Sequence, residues 1–207
     1  MLISKKNVTV VIVIMLLCGA VMVAYRPGIE GPFVFDDIGN IVDNPRVHIE
    51  KLDFRSLASA TKHPQNLSQR RPLAYISFAL NYYFGGMDPA VFRLTNLSIL
   101  LLSIPLAAAA SFLLARTWLP PGQSAFMALS ATILWALNPL LTNAVTYIVQ
   151  RMTSLNAFFC LVSLVCFLKG SQTTRRFWYI GSAVAWLLAL SVKEIALPFV
   201  LVALLYL

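Results

Sequence analysis

Acidic residues are scarce in this chain: eight Asp or Glu in 207 residues, against sixteen Lys or Arg. Seven of them (Glu30, Asp36, Asp37, Asp43, Glu50, Asp53 and Asp88) lie between the first two long apolar stretches, and Glu194 follows a later one. Cysteine is sparser still. Cys18, Cys160 and Cys166 all sit within apolar stretches, so the polar segment carries no disulfide framework and the thiols read as small apolar residues. The two histidines, His48 and His63, lack ligand spacing, and no metal site is assigned to them. Charged residues make up only 12% of the chain and hydrophobic ones 59%, with a mean hydropathy of +0.77, which excludes an ordinary soluble domain. The net charge of +8 is dispersed, without a basic helix or an aromatic-basic module, so no nucleic-acid partner is expected.

What the chain does have is long apolar runs, near residues 8–25, 90–115, 124–137, 152–168 and 177–192, with a sixth beginning at Ile195. Runs of this length suit roughly 30 Å of hydrocarbon. The expected fold is an all-α polytopic membrane protein of about five to six transmembrane helices, forming a single membrane domain over residues 1–207. The last run reaches the final residue after only about 20 Å of helix rise, which suggests the N-terminal part of a longer protein. Lys5 and Lys6 precede a run of full span length, and Met22 stands where a signal peptidase prefers a small residue, so the first run reads as an uncleaved anchor.

Placing Lys5 and Lys6 in the cytoplasm orders the remaining segments. Arg116, Lys169, Arg175 and Arg176 then join them on the inner side with no acid among them. Residues 26–89 become a large first extracytoplasmic loop containing short interfacial helices, and its outer face also receives Arg93, Asn138, Asn143, Gln150, Arg151, Lys193 and Glu194. Ionisable groups gathered at helix ends in a membrane mark a functional site by default.

Within the loop, Asp36-Asp37-Ile38-Gly39-Asn40 and Asp43-Asn44-Pro45 are turn signals. After Arg70-Arg71-Pro72, residues 73–84 form a short helix with Tyr75, Phe78 and Tyr82 on one face, suited to the lipid-water boundary. Beyond Pro139, a helix capped near Thr142 places Asn143, Tyr147, Gln150 and Ser154 in one polar stripe, which could line a cavity.

From Phe33-Val34-Phe35-Asp36-Asp37 onward the sequence resembles the GT-C superfamily of membrane glycosyltransferases, in particular the transmembrane and tetratricopeptide-repeat O-mannosyltransferase group and its bacterial relatives. The likeness continues through Asn44-Pro45, Arg71-Pro72-Leu73, Asn81-Tyr82 to Gly85-Gly86, Arg93-Leu94-Thr95-Asn96, the segment from Ala144 to Leu155, and Ser191 to Pro198. It implies transfer of a sugar from a polyprenyl-phosphate-linked donor to a protein or glycan hydroxyl on the extracytoplasmic face, with an acid of the first outer loop at the reaction centre. It also implies further spans and a C-terminal tetratricopeptide-repeat region beyond this chain, and it suits a bacterial inner membrane. At Asn138 and Asn143 the chain departs from the family, which usually shows a His-Pro start and an acid after Thr. That departure withdraws support from an acid-base or metal role at those two positions.

The residue types suit such a transfer on their own terms. A hydroxyl acceptor needs a base, for which Asp36 or Asp37 serves, and a departing lipid phosphate needs cationic donors, for which Arg71, Arg93, Arg151 and Lys193 are the candidates. Asn138, Asn143, Tyr147, Gln150 and Glu194 are expected to line the cleft. Adjacent residues of an extended chain point to opposite sides, so one of the two aspartates should face the substrate while the other braces the loop. Simpler readings stand beside these: an Asx turn or a hard-cation site at Asp36, Asp37 and Asp43, headgroup contacts for Arg70 and Arg71, mutual satisfaction of Arg151 and the Asn143 stripe, and a local pair of Lys193 with Glu194. No cofactor is required by the sequence, although a divalent cation stays open. A non-catalytic subunit of a membrane complex that keeps the fold is the alternative function, and a transporter is the third.

Overall fold

The computed structural model describes residues 5–61, 71–173 and 175–206. Arg70 and His63 lie outside the described residues. Among the described residues nine α-helices follow one another: α1 (Lys5–Tyr25), α2 (Phe54–Ala60), α3 (Pro72–Gly85), α4 (Pro89–Ala115), α5 (Pro121–Ala136), α6 (Thr142–Thr146), α7 (Arg151–Thr173), α8 (Arg176–Val192) and α9 (Phe199–Tyr206). No strand occurs among the described residues.

The boundaries follow from local chemistry. Asp53 caps α2 by accepting from the Ser56 N–H at 2.7 Å, and Asp88 caps α4 by accepting from the Ala90 N–H at 2.9 Å, with Pro89 in the first turn. Gly86 ends α3 at φ 61°, a left-handed conformation that costs glycine least. Pro121 opens α5, and Asn138 caps the turn that follows it by accepting from the Leu140 N–H at 2.9 Å.

Three stretches, Val8–Gly28, Pro89–Ala115 and Ile148–Thr173, are long and apolar enough to cross a membrane. Together with their exposed aliphatic side chains, such as Val11, Met15, Leu16 and Leu102, they make this an integral membrane protein. A fourth span arises if α5 and Pro139–Thr146, bent by 53°, cross as one broken unit. This is fewer than the five to six that the apolar runs suggest. Helix α8 has 17 residues, a rise of about 25 Å against roughly 30 Å of hydrocarbon, and α9 has eight.

Helix α7 packs along α4 and α8, while α4 also packs along α5. At the end of the bundle where α4 and α7 begin and α8 finishes, the segment after α1 folds down to form an apolar cluster: Ile41 and Val47 meet Tyr75 and Phe78 of α3, Phe92 of α4 and Ile148. The aromatic face of α3 expected at the lipid-water boundary therefore packs on protein instead. Its Tyr75 and Phe78 are buried in protein, because the folded loop covers them, and Tyr82 stacks on the His48 ring at 4.5 Å.

Candidate functional site

The two adjacent aspartates diverge. Asp37 is fully buried; its Oδ1 accepts from the Val149 N–H at 2.7 Å and its Oδ2 from the Val34 N–H at 3.2 Å. Burial pushes its carboxyl above the usual carboxylate range, and the two backbone N–H donors oppose that shift. Asp36 faces outward. Its backbone is held from both sides, the N–H donating to Tyr147 Oη at 3.3 Å and the carbonyl accepting from Asn40 Nδ2 at 2.8 Å. Asn40 in turn accepts from Tyr75 Oη at 2.8 Å. Just before the pair, Phe35 sits at φ 49°, a left-handed conformation that costs a residue with a Cβ about 1–2 kcal/mol.

The four predicted phosphate-binding cations separate into two kinds. Arg93 is buried, and each of its guanidinium nitrogens donates to a backbone carbonyl: Nε to Thr146 at 2.8 Å, Nη1 to Ile29 at 3.3 Å and to Gly31, and Nη2 to Pro32 at 2.5 Å. Arg151 is fully buried as well. It donates to Asn96 Oδ1 at 2.7 Å, Phe92 O at 2.7 Å and Ser77 O at 3.1 Å, with its guanidinium carbon 4.7 Å from the Phe78 ring centroid. In this arrangement neither arginine presents a guanidinium edge to a phosphate. Arg93 ties the segment after α1 to α4 and α6, and Arg151 ties α3 to α4 and α7. The partner of Arg151 is Asn96 rather than Asn143, because the chain breaks at Tyr147 (φ −91°, ψ 103°) before α7 begins.

Arg71 and Lys193 are partly accessible. Arg71 grips Glu194 through Nη2 at 2.7 Å and Nε at 3.3 Å, so Glu194 pairs across 123 residues instead of with its neighbour. The Arg71 hydrogen bond holds the Glu194 carboxyl below its usual range. Lys193 Nζ donates to Thr153 Oγ1 at 2.9 Å, and Thr153 Oγ1 donates to Gln150 Oε1 at 2.9 Å. Burial, with Arg71 nearby, pushes the Lys193 ammonium below its usual value. The Gln150 N–H donates to Tyr147 O at 3.1 Å, which completes a run of contacts from Asp36 through Tyr147, Gln150 and Thr153 to Lys193.

The expected polar stripe is broken at Tyr147, yet Asn143, Gln150 and Ser154 do line one cavity, of about 340 Å³, together with Thr153 and Trp135. A second, more apolar cavity of about 490 Å³ shares Trp135, Ala157 and Leu161 with the first and continues toward Leu164 and Phe199. Asn138 lies apart, on a third cavity of about 320 Å³ bordered by Tyr25 and Thr142. Among the described residues no three His, Cys, Asp or Glu side chains form a metal-binding group, so Asp36, Asp37 and Asp43 do not converge as a hard-cation site.

Sequence reasoning missed the two polar partners that organise this end of the bundle. Asn96 lies three residues after Arg93, on the same face of α4, and its buried amide donates to Val145 O at 3.3 Å and Ile148 O at 3.2 Å. Thr153 falls outside the spacing of the stripe formed by Asn143, Tyr147, Gln150 and Ser154. A polar residue inside an apolar helix, three positions from an arginine, is the signal that could have found Asn96.

Comparison with known proteins finds the chain 32% identical over 164 residues to Protein O-mannosyl-transferase TMTC1 of Mus musculus, covering 74% of this chain and 16% of that protein. It is 31% identical over 159 residues to Protein O-mannosyl-transferase tmtc2 of Xenopus laevis, covering 73% and 18%. With Protein O-mannosyl-transferase TMTC4 of Mus musculus it shares 30% identity over 188 residues, covering 81% and 24%. The chain thus spans between 16% and 24% of the length of these relatives. No family model matches, and no solved structure matches.

Proposed function

Over about three quarters of its length the chain is a relative of the TMTC-type O-mannosyl-transferases of the GT-C group, and from that kinship we propose that it carries part of a mannosyl-transfer site using a polyprenyl-phosphate-linked donor and a protein hydroxyl. The observation that carries the reading is the divergence of the adjacent aspartates. Asp37 is braced by backbone N–H groups, while Asp36 remains exposed on a tethered backbone. A carboxylate carried on a tethered backbone and open to solvent is suited to take the acceptor proton as the glycosidic bond forms.

In this proposal Arg71 and Lys193 are the cations for the donor phosphate, and Tyr147 and Gln150 line the path between them and Asp36. Arg93 and Arg151 act by positioning the loop and the helix ends. The two cavities that share Trp135, Ala157 and Leu161 suit the donor's isoprenoid chain, because their lining passes from polar to apolar away from Gln150. We place the site on the extracytoplasmic face of a bacterial inner membrane, with the N-terminus in the cytoplasm and the remaining spans and tetratricopeptide repeats in a longer polypeptide.

The test is transfer of mannose from a lipid-phosphate donor in membranes containing the full protein. Asp36→Asn abolishes transfer while the protein stays folded in the membrane. Undiminished transfer by Asp36→Asn overturns the assignment.

A further inference from the structure

The most costly conformation at this end of the bundle belongs to a side chain that buries almost nothing. Phe35 is 84% exposed, yet its backbone sits at φ 49°, where glycine would be free of strain and phenylalanine is not. The turn is closed around it by Asp37 N–H donating to Val34 O at 3.0 Å, Ile38 N–H donating to Phe35 O at 3.1 Å and the Asp37 carboxylate accepting from Val34 N–H at 3.2 Å. The ring meets Tyr147 edge to face, with centroids 6.2 Å apart and planes at 78°. The same Tyr147 hydroxyl accepts the N–H of Asp36. An aromatic ring is therefore fixed outward beside an exposed carboxylate, and neither hydrophobic burial nor backbone preference accounts for it. The turn's hydrogen bonds set this φ, but nothing in them calls for an aromatic side chain where glycine would be unstrained, and such an outlier beside a candidate site is the ground for a functional hypothesis.

We propose that Phe35 is the platform on which a pyranose ring stacks in the transfer site. This rests on the proposed mannosyl transfer and adds the residue that recognises the sugar itself. A pyranose has one face rich in C–H groups, which carry slight positive charge and suit the negative face of an aromatic ring. Its rim carries hydroxyls, which donate to a carboxylate. Phe35 and Asp36, adjacent and held by one tyrosine, supply both. A role as a lipid anchor asks only for apolar bulk, so leucine would serve it; sugar stacking needs the π face.

The probe is methyl α-mannopyranoside, added to the full protein in detergent and observed by saturation-transfer NMR with irradiation of aromatic protons. In the unchanged protein and in Phe35→Trp, saturation reaches the sugar ring C–H protons. In Phe35→Leu and Phe35→Gly it is lost, and KM for the mannosyl donor rises by roughly three- to tenfold. The Phe35→Gly protein unfolds no earlier than the original, since glycine accepts the conformation, so its loss is not one of folding. Aromatic transfer that persists in Phe35→Leu and Phe35→Gly, or is absent from the unchanged protein, overturns the platform. Sugar contact through Phe35 in a protein that transfers nothing sustains the platform and sinks the transferase reading instead.

Discussion

The Asp37 carboxylate and the backbone N–H of Val149 meet at 2.7 Å across 112 residues of sequence. Val149 lies in the turn that leads into α7, so this bond, with the Arg93 tie, fixes the loop that follows α1 to the start of α7. Asp36 is positioned by that bond together with its own backbone contacts to Tyr147 and Asn40.

Replacement of Asp37 by Ala leaves the Val149 and Val34 N–H groups without their acceptor in a buried setting and lowers stability by about 2–4 kcal/mol. Asp37→Asn, which keeps one acceptor oxygen, costs less. The sign of the pH effect is opposite to that of a surface carboxylate. Burial raises the Asp37 pKa in the fold, so the folded state binds the proton more tightly than the unfolded one. Stability contributed by this group falls as pH rises between the unfolded and folded pKa values. Thermal unfolding in detergent across acid pH should show that fall in the original protein and its absence in Asp37→Asn.

Arg151 tests the difference between a phosphate ligand and a structural tie. Its donors reach Asn96, Phe92 and Ser77 on two other helices, a fork that the single ammonium of lysine cannot reproduce. Arg151→Lys should therefore destabilise the protein by about 3–5 kcal/mol, because buried carbonyl and amide oxygens lose their donors. A folded, thermally unchanged Arg151→Lys protein with weakened donor binding is the opposite outcome, and unfolding curves beside donor KM distinguish the two.

The membrane character and the helix-breaking roles of Gly86 and Pro139 are legible in the sequence, since each follows from local composition or turn chemistry. Asp36 and Asp37 do point apart, but in a helical turn (Asp37 φ −58°, ψ −36°) rather than by the alternation of an extended chain. The fate of the arginines is not legible. Whether a guanidinium faces solvent or carbonyls depends on which backbone groups the fold leaves unpaired nearby. Arg93 is consumed by Ile29, Gly31 and Pro32, some sixty residues earlier. Likewise the Tyr75 and Phe78 face of α3 has the look of a lipid-boundary face until the loop is folded over it, and only the tertiary contact of Ile41 and Val47 with that face decides that it packs on protein.

Sidedness can be read from single cysteines placed in a protein whose own three thiols are replaced. Asp36→Cys and Glu194→Cys should react with an impermeant maleimide from one side of the membrane, and Arg116→Cys and Arg175→Cys only after the membrane is opened. The expectation rests on Arg71 and Glu194 meeting at 2.7 Å, which puts the end of α8 beside the segment entering α3, while the α4 and α7 spans carry the chain to the far end. Labelling of Asp36→Cys and Glu194→Cys from different sides breaks the proposed site.

The Arg71–Glu194 pair separates stability from activity. The Glu194 carboxylate is 62% exposed, so solvent screens the pair and a double-mutant cycle should give a coupling below about 1 kcal/mol. Its contribution is present above the unfolded carboxylate pKa and is lost as pH falls through the depressed folded value. The same weakness makes Arg71 exchangeable: a donor phosphate can take over the guanidinium fork from a screened carboxylate. Glu194→Gln should then lower KM for a lipid-phosphate mannose donor by releasing Arg71, and Arg71→Gln should raise it, with both proteins unfolding within about 1 kcal/mol of the original. Equal and parallel losses of activity in the two variants show instead that the pair acts as a unit to hold α8 against the segment entering α3, and remove Arg71 from the phosphate site.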